Sequence, residues 1–576
     1  MKKWSKLGAV LLLFPCVSTF ACEQVSDTVL LDEALVVAYG RSGRYSYTGS
    51  LSSVSGRRFI GDLPVLSFEE ALQGSFSGVN VSPVSSQPGS ALNLRIRGTG
   101  SLNASAEPLY VVDGVPVVSG NIAVSCIAGD TKSFNVLLTL SPGDIEQVTV
   151  LKDAAATSLY GSRGSNGVIL ITARRGGEGR LRLGFSADWG SGRWAVSNKA
   201  LLSGDEQHEL TYEAFYNEAV LYNGKSDVEA IAYAEEKSAL YAPQRDEYSD
   251  WEGALFRRRS LHRRYHLNAS GGSTSESFYA SLVYEREEGI ARNTGLEGFS
   301  ALVNMRRQLS ERADAGMRLT VSRHRSDVVP ETTKDINPWY MLHYAYKPNF
   351  PVRNANGTWF EDFPVSGSVT NLAKEQGLDK NRSDVFRMSG GFDAGYELYP
   401  GLQVEEHLNY DFVHNESTLY WPLTSSNGKT TDGVMVKIAS PMHNIYSSTL
   451  LKYVFHTGCH RFDLLAGWEV DDRSRRYLQA KGTNYPGDRL EELENAAVAA
   501  LVASGKTADR LLSFLSRVDY SFYGRYYASV SYRRDGSSRF GSRHRWGDFW
   551  SAGFSWRFFR ACLCSRQQPS DVVFLR

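Results

Sequence analysis

The chain has 576 residues with 63 basic and 63 acidic side chains, and its formal net charge of +0 gives no indication of a nucleic-acid partner. Charged residues make up 22% of the chain. Beyond the N-terminus, no stretch approaches the roughly 20 consecutive apolar residues of a membrane-spanning helix, which excludes a helical membrane protein. The aromatic content of 12% fits a membrane β-barrel, whose strands expose only alternate side chains to lipid and whose girdles are aromatic.

Residues 1–21 have the pattern of a secretory signal peptide. A lysine-rich n-region precedes the apolar stretch from Leu7 to Val17, and Ala21 ends a tolerable cleavage site. We therefore expect export and a mature chain that begins at Cys22, where lipidation is an alternative outcome. Residues 22–48 would then form an N-terminal extension.

An extended apolar run between polar flanks lies close to the expected mature N-terminus, from Asp32 to Gly40. Apolar and polar residues alternate only weakly in it, so main-chain pairing would matter more than side-chain identity. One interpretation of this run is an edge strand of the domain that follows.

A helix, a strand and a hairpin turn are predicted next. Ser67 and Glu70 form a capping box for a helix that begins at Phe68. Apolar residues then alternate with polar ones from Leu92 to Ile96, which predicts a strand with one apolar face. The Asp-Gly pair at residues 113–114 follows another apolar run and is typical of a hairpin turn.

Residues 141–176 are predicted to form a strand, a short helix and a second strand. Apolar residues from Ile145 to Leu151 indicate the first strand, and those from Val168 to Ile171 indicate the second. Asp153 is suited to cap a helix from Ala154 to Tyr160.

Three glycines are expected to end this helix and to turn the chain toward the second strand. Gly161 is predicted to terminate the helix. Gly164 and Gly167 are predicted to supply backbone conformations that side chains resist.

These motifs, in this order, closely resemble the plug domain of SusC/RagA-type TonB-dependent outer-membrane transporters. The resemblance implies an α+β plug domain over residues 49–176, followed by an antiparallel transmembrane β-barrel. The residues that carry the plug motif are Arg95, Arg97, Gly98, Asp113, Gly114, Lys152, Asp153, Tyr160, Gly161, Arg163, Gly164 and Gly167.

The resemblance also implies that the run from Asp32 to Gly40 is a TonB box. In the family this segment is released into the periplasm, where it adds as a strand to TonB by β-augmentation. The residues implied to contact TonB are Glu33, Ala34, Leu35, Val36, Val37, Ala38 and Tyr39.

Several charged plug residues are candidates to face a polar barrel lumen. The favoured interpretation is that they form solvated plug surface or salt bridges to the barrel wall, and the alternative is direct contact with substrate. These residues are Arg95, Arg97, Asp113, Lys152 and Asp153.

Residues 177–558 show repeated alternation of apolar and polar residues, which predicts barrel strands with one face toward lipid. Roughly a dozen such segments can be placed, whereas barrels of this class close with about 22 strands. The sequence therefore predicts only the N-terminal part of a barrel. The clearest predicted strands are Leu181 to Trp189, Tyr265 to Ala269, Phe278 to Tyr284, Met317 to Val321, Phe386 to Tyr396, Leu402 to Tyr410, Val518 to Phe522, Ala528 to Tyr532 and Ala552 to Phe558.

Two long segments, Ser203 to Trp251 and Val328 to Arg382, are predicted to be extracellular loops or folded excursions. Their aromatic residues are more readily explained by packing within the loops than by stacking on sugar rings. These aromatic residues include Trp339, Tyr340, Tyr344, Tyr346 and Trp359.

No catalytic, metal or cofactor site is predicted. The segment after residue 97 lacks the third glycine of a dinucleotide fingerprint, and no nucleophile elbow occurs. His262 and His266 are four residues apart but lie in a strand pattern without a third ligand. The acidic pairs at 405–406 and 471–472 are interpreted as loop or rim charges.

Residues 559–576 lose the strand period and lack a terminal amphipathic strand that ends in an aromatic residue. We expect a frameshifted or prematurely ended reading frame to account for this aberrant tail.

The function implied by the resemblance is import of an oligosaccharide or peptide across the outer membrane. The implied partners are TonB with its inner-membrane energising complex, a SusD-like surface lipoprotein and outer-membrane lipid. A ligand-sensing signalling receptor and a non-functional gene remnant are the alternatives.

Overall fold

The computed structural model describes residues 34–37, 39–43, 51–56, 68–100, 106–117, 126, 136–194, 201–331, 334–364 and 369–557. The predicted signal peptide, Glu33, Ala38, the helix cap Ser67 and the tail 559–576 lie outside the described residues. Within them, the chain forms a small mixed domain followed by one large antiparallel sheet.

The N-terminal domain, which corresponds to the predicted plug, is built around a five-stranded sheet in the order β3-β8-β9-β6-β7. Strands β6 and β9 are parallel, and the other neighbours are antiparallel. The elements are β1 (Ala34–Val37), β2 (Gly40–Gly43), β3 (Leu51–Ser55), α1 (Phe68–Leu72), β4 (Val79–Pro83), β5 (Leu92–Ile96), β6 (Leu109–Val112), β7 (Val115–Val117), two 3-10 helices (Val136–Thr139 and Pro142–Asp144), β8 (Ile145–Leu151), α2 (Ala154–Thr157), a 3-10 helix (Ser158–Gly164) and β9 (Val168–Ala173).

Apolar side chains from the sheet and from α1 form the core of this domain. Phe68 and Leu72 of α1 are fully buried, as are Ile145 and Ile169 on the central strands. The predicted strand Leu92–Ile96 is confirmed as β5, in which Leu94 is buried within the same core. The predicted apolar face therefore packs inward.

The predicted hairpin turn at residues 113–114 is also confirmed. Asp113 and Gly114 have φ angles of 47° and 88°, and Val112 pairs with Val115 across the turn. Two successive positive φ angles are those of a type I′ turn, whose twist matches that of the flanking strands.

The structure corrects two details of the predicted strand–helix–strand unit. The α-helix ends at Thr157 instead of Tyr160, and a 3-10 helix follows in which Gly161 has non-helical angles (φ 59°, ψ −143°). Gly167 has the predicted positive φ of 95°, but Gly164 does not have a positive φ. Gly164 is needed for space instead, because a Cβ there would lie 2.8 Å from the Thr157 carbonyl oxygen.

The C-terminal part is a 12-stranded sheet in which every strand pairs antiparallel with its neighbours in chain order. This arrangement confirms the predicted antiparallel barrel sheet. Its strands are β10 (Gly179–Gly192), β11 (Ser260–Gly272), β12 (Glu276–Glu288), β13 (Gly295–Ser310), β14 (Ala313–Asp327), β15 (Lys380–Tyr399), β16 (Leu402–Trp421), β17 (Val434–Thr457), β18 (His460–Thr483), β19 (Val498–Phe522), β20 (Tyr526–Ser537) and β21 (Trp546–Trp556).

Alternate residues of these strands face opposite environments. Leu183, Phe185 and Trp189 on β10 are exposed, whereas Ser322 on β14 and Asn415 on β16 are fully buried toward the plug side. Such alternation is the signature of a sheet with an apolar outer face and a polar inner face.

Strands β13, β17 and β18 were not among the predicted strands. In β17, Pro441 lies in the interior of a central strand, a position that sequence rules disfavour because proline lacks the N–H donor. The structure accommodates it where the pairing of β17 with β18 is interrupted between Ala439 and Met442.

The sheet is open among the described residues. Strands β10 and β21 each have one paired neighbour, and they do not pair with each other. The connections are short at one end, such as Pro400-Gly401, and long at the other, as in outer-membrane barrels, whose long loops are extracellular.

The two long predicted loops are folded excursions. Their helices are α3 (Gly204–Leu221), α4 (Asp227–Tyr241), α5 (Trp251–Leu255), α6 (Pro338–Tyr344) and α7 (Leu372–Leu378). Tyr346 is buried against Trp251, with ring centroids 4.1 Å apart, and Trp339 packs on Phe256. These contacts confirm packing within the loops for those two aromatic residues. None of the described helices is long and apolar enough to cross a membrane.

Candidate functional site

The plug contacts the inner face of the sheet through the 3-10 helix that follows α2. Ser158 Oγ lies 2.8 Å from Ser531 Oγ on β20 and 2.9 Å from Ser551 Oγ on β21. We use the name plug–wall lock for the polar cluster formed here by Tyr39, Tyr160, Gly161, Arg163, Glu469, Asp471, Arg533 and Asp535.

Arg533 is the centre of the plug–wall lock and is completely buried. Its guanidinium donates to Asp535 Oδ1 at 2.6 Å and to Glu469 Oε2 at 2.8 Å, both on the wall. It also donates to the carbonyl oxygen of Leu159 on the plug at 2.6 Å. One side chain of the wall thereby satisfies a backbone group of the plug.

Arg163 brings a second positive charge from the plug. Its guanidinium lies 2.5 Å from Asp471 and 3.7 Å from Glu469, both on β18. Because buried charges are stable only when paired and hydrogen-bonded, removal of one partner would leave the others uncompensated. The predicted motif residue Arg163 therefore forms a plug-to-wall ion pair.

Gly161 is required at the lock for two reasons. Its φ of 59° is a conformation that residues with a Cβ rarely adopt. A Cβ added there would lie 1.9 Å from Asp535 Oδ2 and 2.9 Å from Arg533 Nε. The absence of a side chain thus allows the plug backbone to approach the buried ion pair.

Tyr39 connects the predicted TonB box to this cluster. Arg533 Nη1 donates to the Tyr39 hydroxyl at 3.3 Å, and the Tyr39 ring stacks on Tyr160 with centroids 5.5 Å apart. Burial, together with the nearby Glu469 carboxylate, holds the pKa of Tyr39 well above its usual range. Of residues 33–39, only the Tyr39 side chain belongs to the described part of the chain.

The backbone of this N-terminal segment forms a hairpin. Strand β1 pairs with β2, with Ala34 opposite Gly43 and Val37 opposite Gly40, and the hairpin lies against β8 and β9. Among the described residues it forms its own two-stranded sheet and does not extend the five-stranded sheet of the plug.

A cavity of about 230 Å³ lies beside Tyr39 at the end of the sheet that has short turns. It is bounded by the plug turn at Gly114 and by His407, Glu405 and Lys452 of the wall. There is therefore open space next to the segment that carries Tyr39.

Of the other predicted plug charges, Asp113 contacts the wall. Its carboxylate lies 2.8 Å from Arg318 on β14 and 3.6 Å from Arg175. The described contacts of Lys152 are within the plug, where Nζ donates to Ser52 Oγ at 2.8 Å.

Arg95 and Arg97 also interact with plug residues. Arg95 donates to the carbonyl oxygen of Leu94 at 2.9 Å, and Arg97 forms an ion pair with Asp153. These two arginines therefore have partners within the plug itself.

Sequence reasoning missed further contacts between the plug and the wall. Asp144 of the plug accepts from Tyr279 at 2.8 Å and lies 3.2 Å from His266 Nε2. Arg387 of the wall donates to Thr139 Oγ1 at 3.0 Å. No local pattern marks these residues, because each pair joins positions more than a hundred residues apart.

Two interpretations of titratable residues are settled by these contacts. Asp471 is not a rim charge, because it is buried on β18 against Arg163. His266 faces Asp144, and His262 lies 3.8 Å from Glu287. No group of three His, Cys, Asp or Glu residues suited to a metal ion occurs in the described part of the chain.

Comparison with known families identifies the N-terminal domain. The family model for the TonB-dependent Receptor Plug Domain matches residues 45–168. This range contains Gly161 and Arg163 of the lock as well as the Asp113-Gly114 turn.

Relatives match nearly the whole of this chain. The TonB-dependent receptor P3 of Formosa agariphila is 28% identical over 536 residues, which cover 91% of this chain and 49% of the relative. The TonB-dependent receptor SusC of Bacteroides thetaiotaomicron is 27% identical over 553 residues, or 92% of this chain and 51% of the relative. The chain therefore spans about half the length of the curated relatives it matches.

Solved structures match the plug and sheet together. The RagAB peptide transporter matches with a TM-score of 0.72 and 25% identity, over 88% of this chain and 57% of that chain. The siderophore receptor PirA from Acinetobacter baumannii matches with a TM-score of 0.52 and 13% identity, over 88% and 59% of the two chains, and shows the fold alone.

These relatives are receptors and importers, which agrees with the expectation that the chain is not an enzyme. The chain is thus similar to the TonB-dependent receptor SusC and to the RagAB peptide transporter, over a plug domain that is followed by a 12-stranded antiparallel sheet.

Proposed function

We propose that this chain belongs to a transporter that imports an oligosaccharide or peptide across the outer membrane, with energy supplied by TonB. The observation that carries this proposal is the plug–wall lock, which joins the segment that ends at Tyr39 to the plug and the wall. A pull on that segment would act directly on the contacts that hold the plug.

The geometry of the β1–β2 hairpin favours release by an axial pull. Its open end is the pair Ala34 and Gly43, so a force on the N-terminus separates the strands one pair at a time. Sequential rupture needs less force than simultaneous rupture of all the pairs. Tyr39, at the closed end, is reached last, and its removal takes one partner from buried Arg533.

The proposal includes the predicted partners and domain limits. Residues 33–39 would pair with TonB, and residues 49–176 would act as the plug. A SusD-like lipoprotein would deliver ligand at the end that has long connections. The similarity to SusC and to the RagAB peptide transporter supports a transporter of this type in the outer membrane.

The test is the substitution Val36→Pro, introduced into the protein in its outer membrane. Proline removes the N–H donor and fixes the backbone, so this strand could no longer pair regularly with TonB. We expect ligand uptake to be lost while ligand binding at the cell surface is retained. Val36→Ala keeps the donor and serves as the control. Uptake that persists in the proline variant would refute the assignment.

A further inference from the structure

A cavity with a volume of about 390 Å³ lies at the end of the sheet that has long connections. It lies between α7, the start of β15 and the facing ends of β12, β13, β14 and β16. Its lining includes Gln376, Asp379, Asn381 and Trp421.

Hydrogen-bonding groups that line this cavity have no partner among the described residues. Gln376 is only 9% exposed, yet neither its Nε2 nor its Oε1 forms a hydrogen bond. Asn381 Nδ2 is likewise unpartnered, as is Asp379 Oδ1, although Asp379 Oδ2 accepts from Asn427 at 2.7 Å. Buried polar groups are ordinarily paired, so this cavity offers donors and acceptors to a bound molecule.

Several charged groups around the same cavity already have partners. Arg382 lies 2.8 Å from Asp327, and Lys380 lies 2.5 Å from Glu491. Arg257 donates to two backbone carbonyl oxygens, at 2.7 Å and 2.9 Å. The unmet hydrogen-bonding capacity of the cavity therefore belongs to the neutral amides of Gln376 and Asn381 and to one carboxylate oxygen of Asp379.

A neutral ligand with several hydroxyl groups matches these features. Each hydroxyl both donates and accepts, so neighbouring hydroxyls can satisfy the two amide atoms of Gln376 together with Asn381 Nδ2. Trp421 contributes an aromatic side chain to the lining, suited to the apolar face of a sugar ring. The carboxylate end of a peptide would need a cationic partner, which Gln376, Asn381 and Asp379 do not supply.

We propose that this cavity is a binding subsite for a neutral oligosaccharide, with Gln376 and Asn381 as its hydrogen-bonding residues. This inference rests on the proposed import function and names the substrate class for it.

The subsite is directly connected to the plug. Val329 lines the cavity, and the Gln87 side chain of the plug pairs with its backbone in both directions, at 2.8 Å for each hydrogen bond. A ligand in the cavity therefore contacts the same backbone segment that holds the plug loop.

The test is calorimetric titration of the purified full chain in detergent with maltoheptaose, mannohexaose and cellohexaose, and with hexaalanine as the peptide probe. We expect an oligosaccharide to bind, and Gln376→Ala and Asn381→Ala each to weaken its binding by about tenfold, since each removes a hydrogen-bonding group. Gln308→Ala removes an exposed amide at the opposite end of the sheet and should leave affinity within about twofold.

Binding of hexaalanine in preference to all three sugars would overturn the proposal, as would unchanged affinity in both variants or no sugar binding. Two variants are used because one of them can fail to fold, which thermal unfolding of each detects. The titration requires no TonB. The two proposals therefore fail in different ways. If the subsite proposal is wrong, the sugars do not bind, whereas if the import proposal is wrong, a sugar binds but its uptake does not depend on residues 33–39.

Discussion

Substitution of Gly161 by alanine tests whether the plug is held at the wall by the approach of its backbone to Arg533 and Asp535. The added Cβ would lie 1.9 Å from Asp535 Oδ2, so the carboxylate must move away from Arg533 or the plug must retreat. The positive φ of 59° adds conformational strain.

Two other glycines separate these effects. Gly78 has a positive φ of 74° and Gly177 has no positive φ, and a Cβ at either position would meet nothing within 4 Å. We expect no loss of stability for Gly177→Ala and a loss of about 1–2 kcal/mol for Gly78→Ala, the penalty for a left-handed backbone. Gly161→Ala should lose the same amount of stability as Gly78→Ala. In addition it should lose part of the stability that disruption of a buried ion pair costs, which is about 3–5 kcal/mol.

The assay measures release of the plug from the sheet as guanidinium is added to the protein in detergent. Release is detected as the onset of protease cleavage within residues 49–176. The midpoint for Gly161→Ala should fall well below that for Gly78→Ala. Equal midpoints for these two variants would refute the reasoning, because the contact with the wall would then contribute nothing.

Two further predictions concern charged groups. Arg533→Met leaves Glu469 buried without its main partner and should destabilise the plug by about 3–5 kcal/mol in the same assay; Arg539→Met breaks an exposed pair and should cost less than about 1 kcal/mol. Burial raises the pKa of Asp379 to about 7, so its protonated form favours the folded loop. Stability of α7 should therefore be highest below about pH 4 and decline as pH rises through 7, as measured by hydrogen-exchange protection, and Asp379→Asn should abolish this decline. A loss of stability in Arg539→Met equal to that in Arg533→Met would contradict the first expectation. A pH profile of Asp379→Asn identical to that of the unaltered protein would contradict the second.

Local sequence indicated many, but not all, of the elements of this protein. Alternation of apolar and polar residues marks strands such as β10, because a strand with one buried face has a period of two. The Asp-Gly pair at residues 113–114 specifies its turn, because both residues tolerate positive φ better than most. Gly161 likewise has the non-helical backbone that was predicted for it, although the α-helix already ends at Thr157.

Tertiary structure alone decided what these elements contact. Arg163 and Asp471 are 308 residues apart, and their ion pair depends on where the plug lies against β18. The role of Gly164 depends on the nearby Thr157 carbonyl oxygen, and Pro441 is tolerated because the ladder beside it is interrupted. Periodicity defines which face of a strand is apolar. Which strand lies opposite a given plug residue is set by sheet register and by the packing of the plug against the wall, and short sequence windows do not encode either.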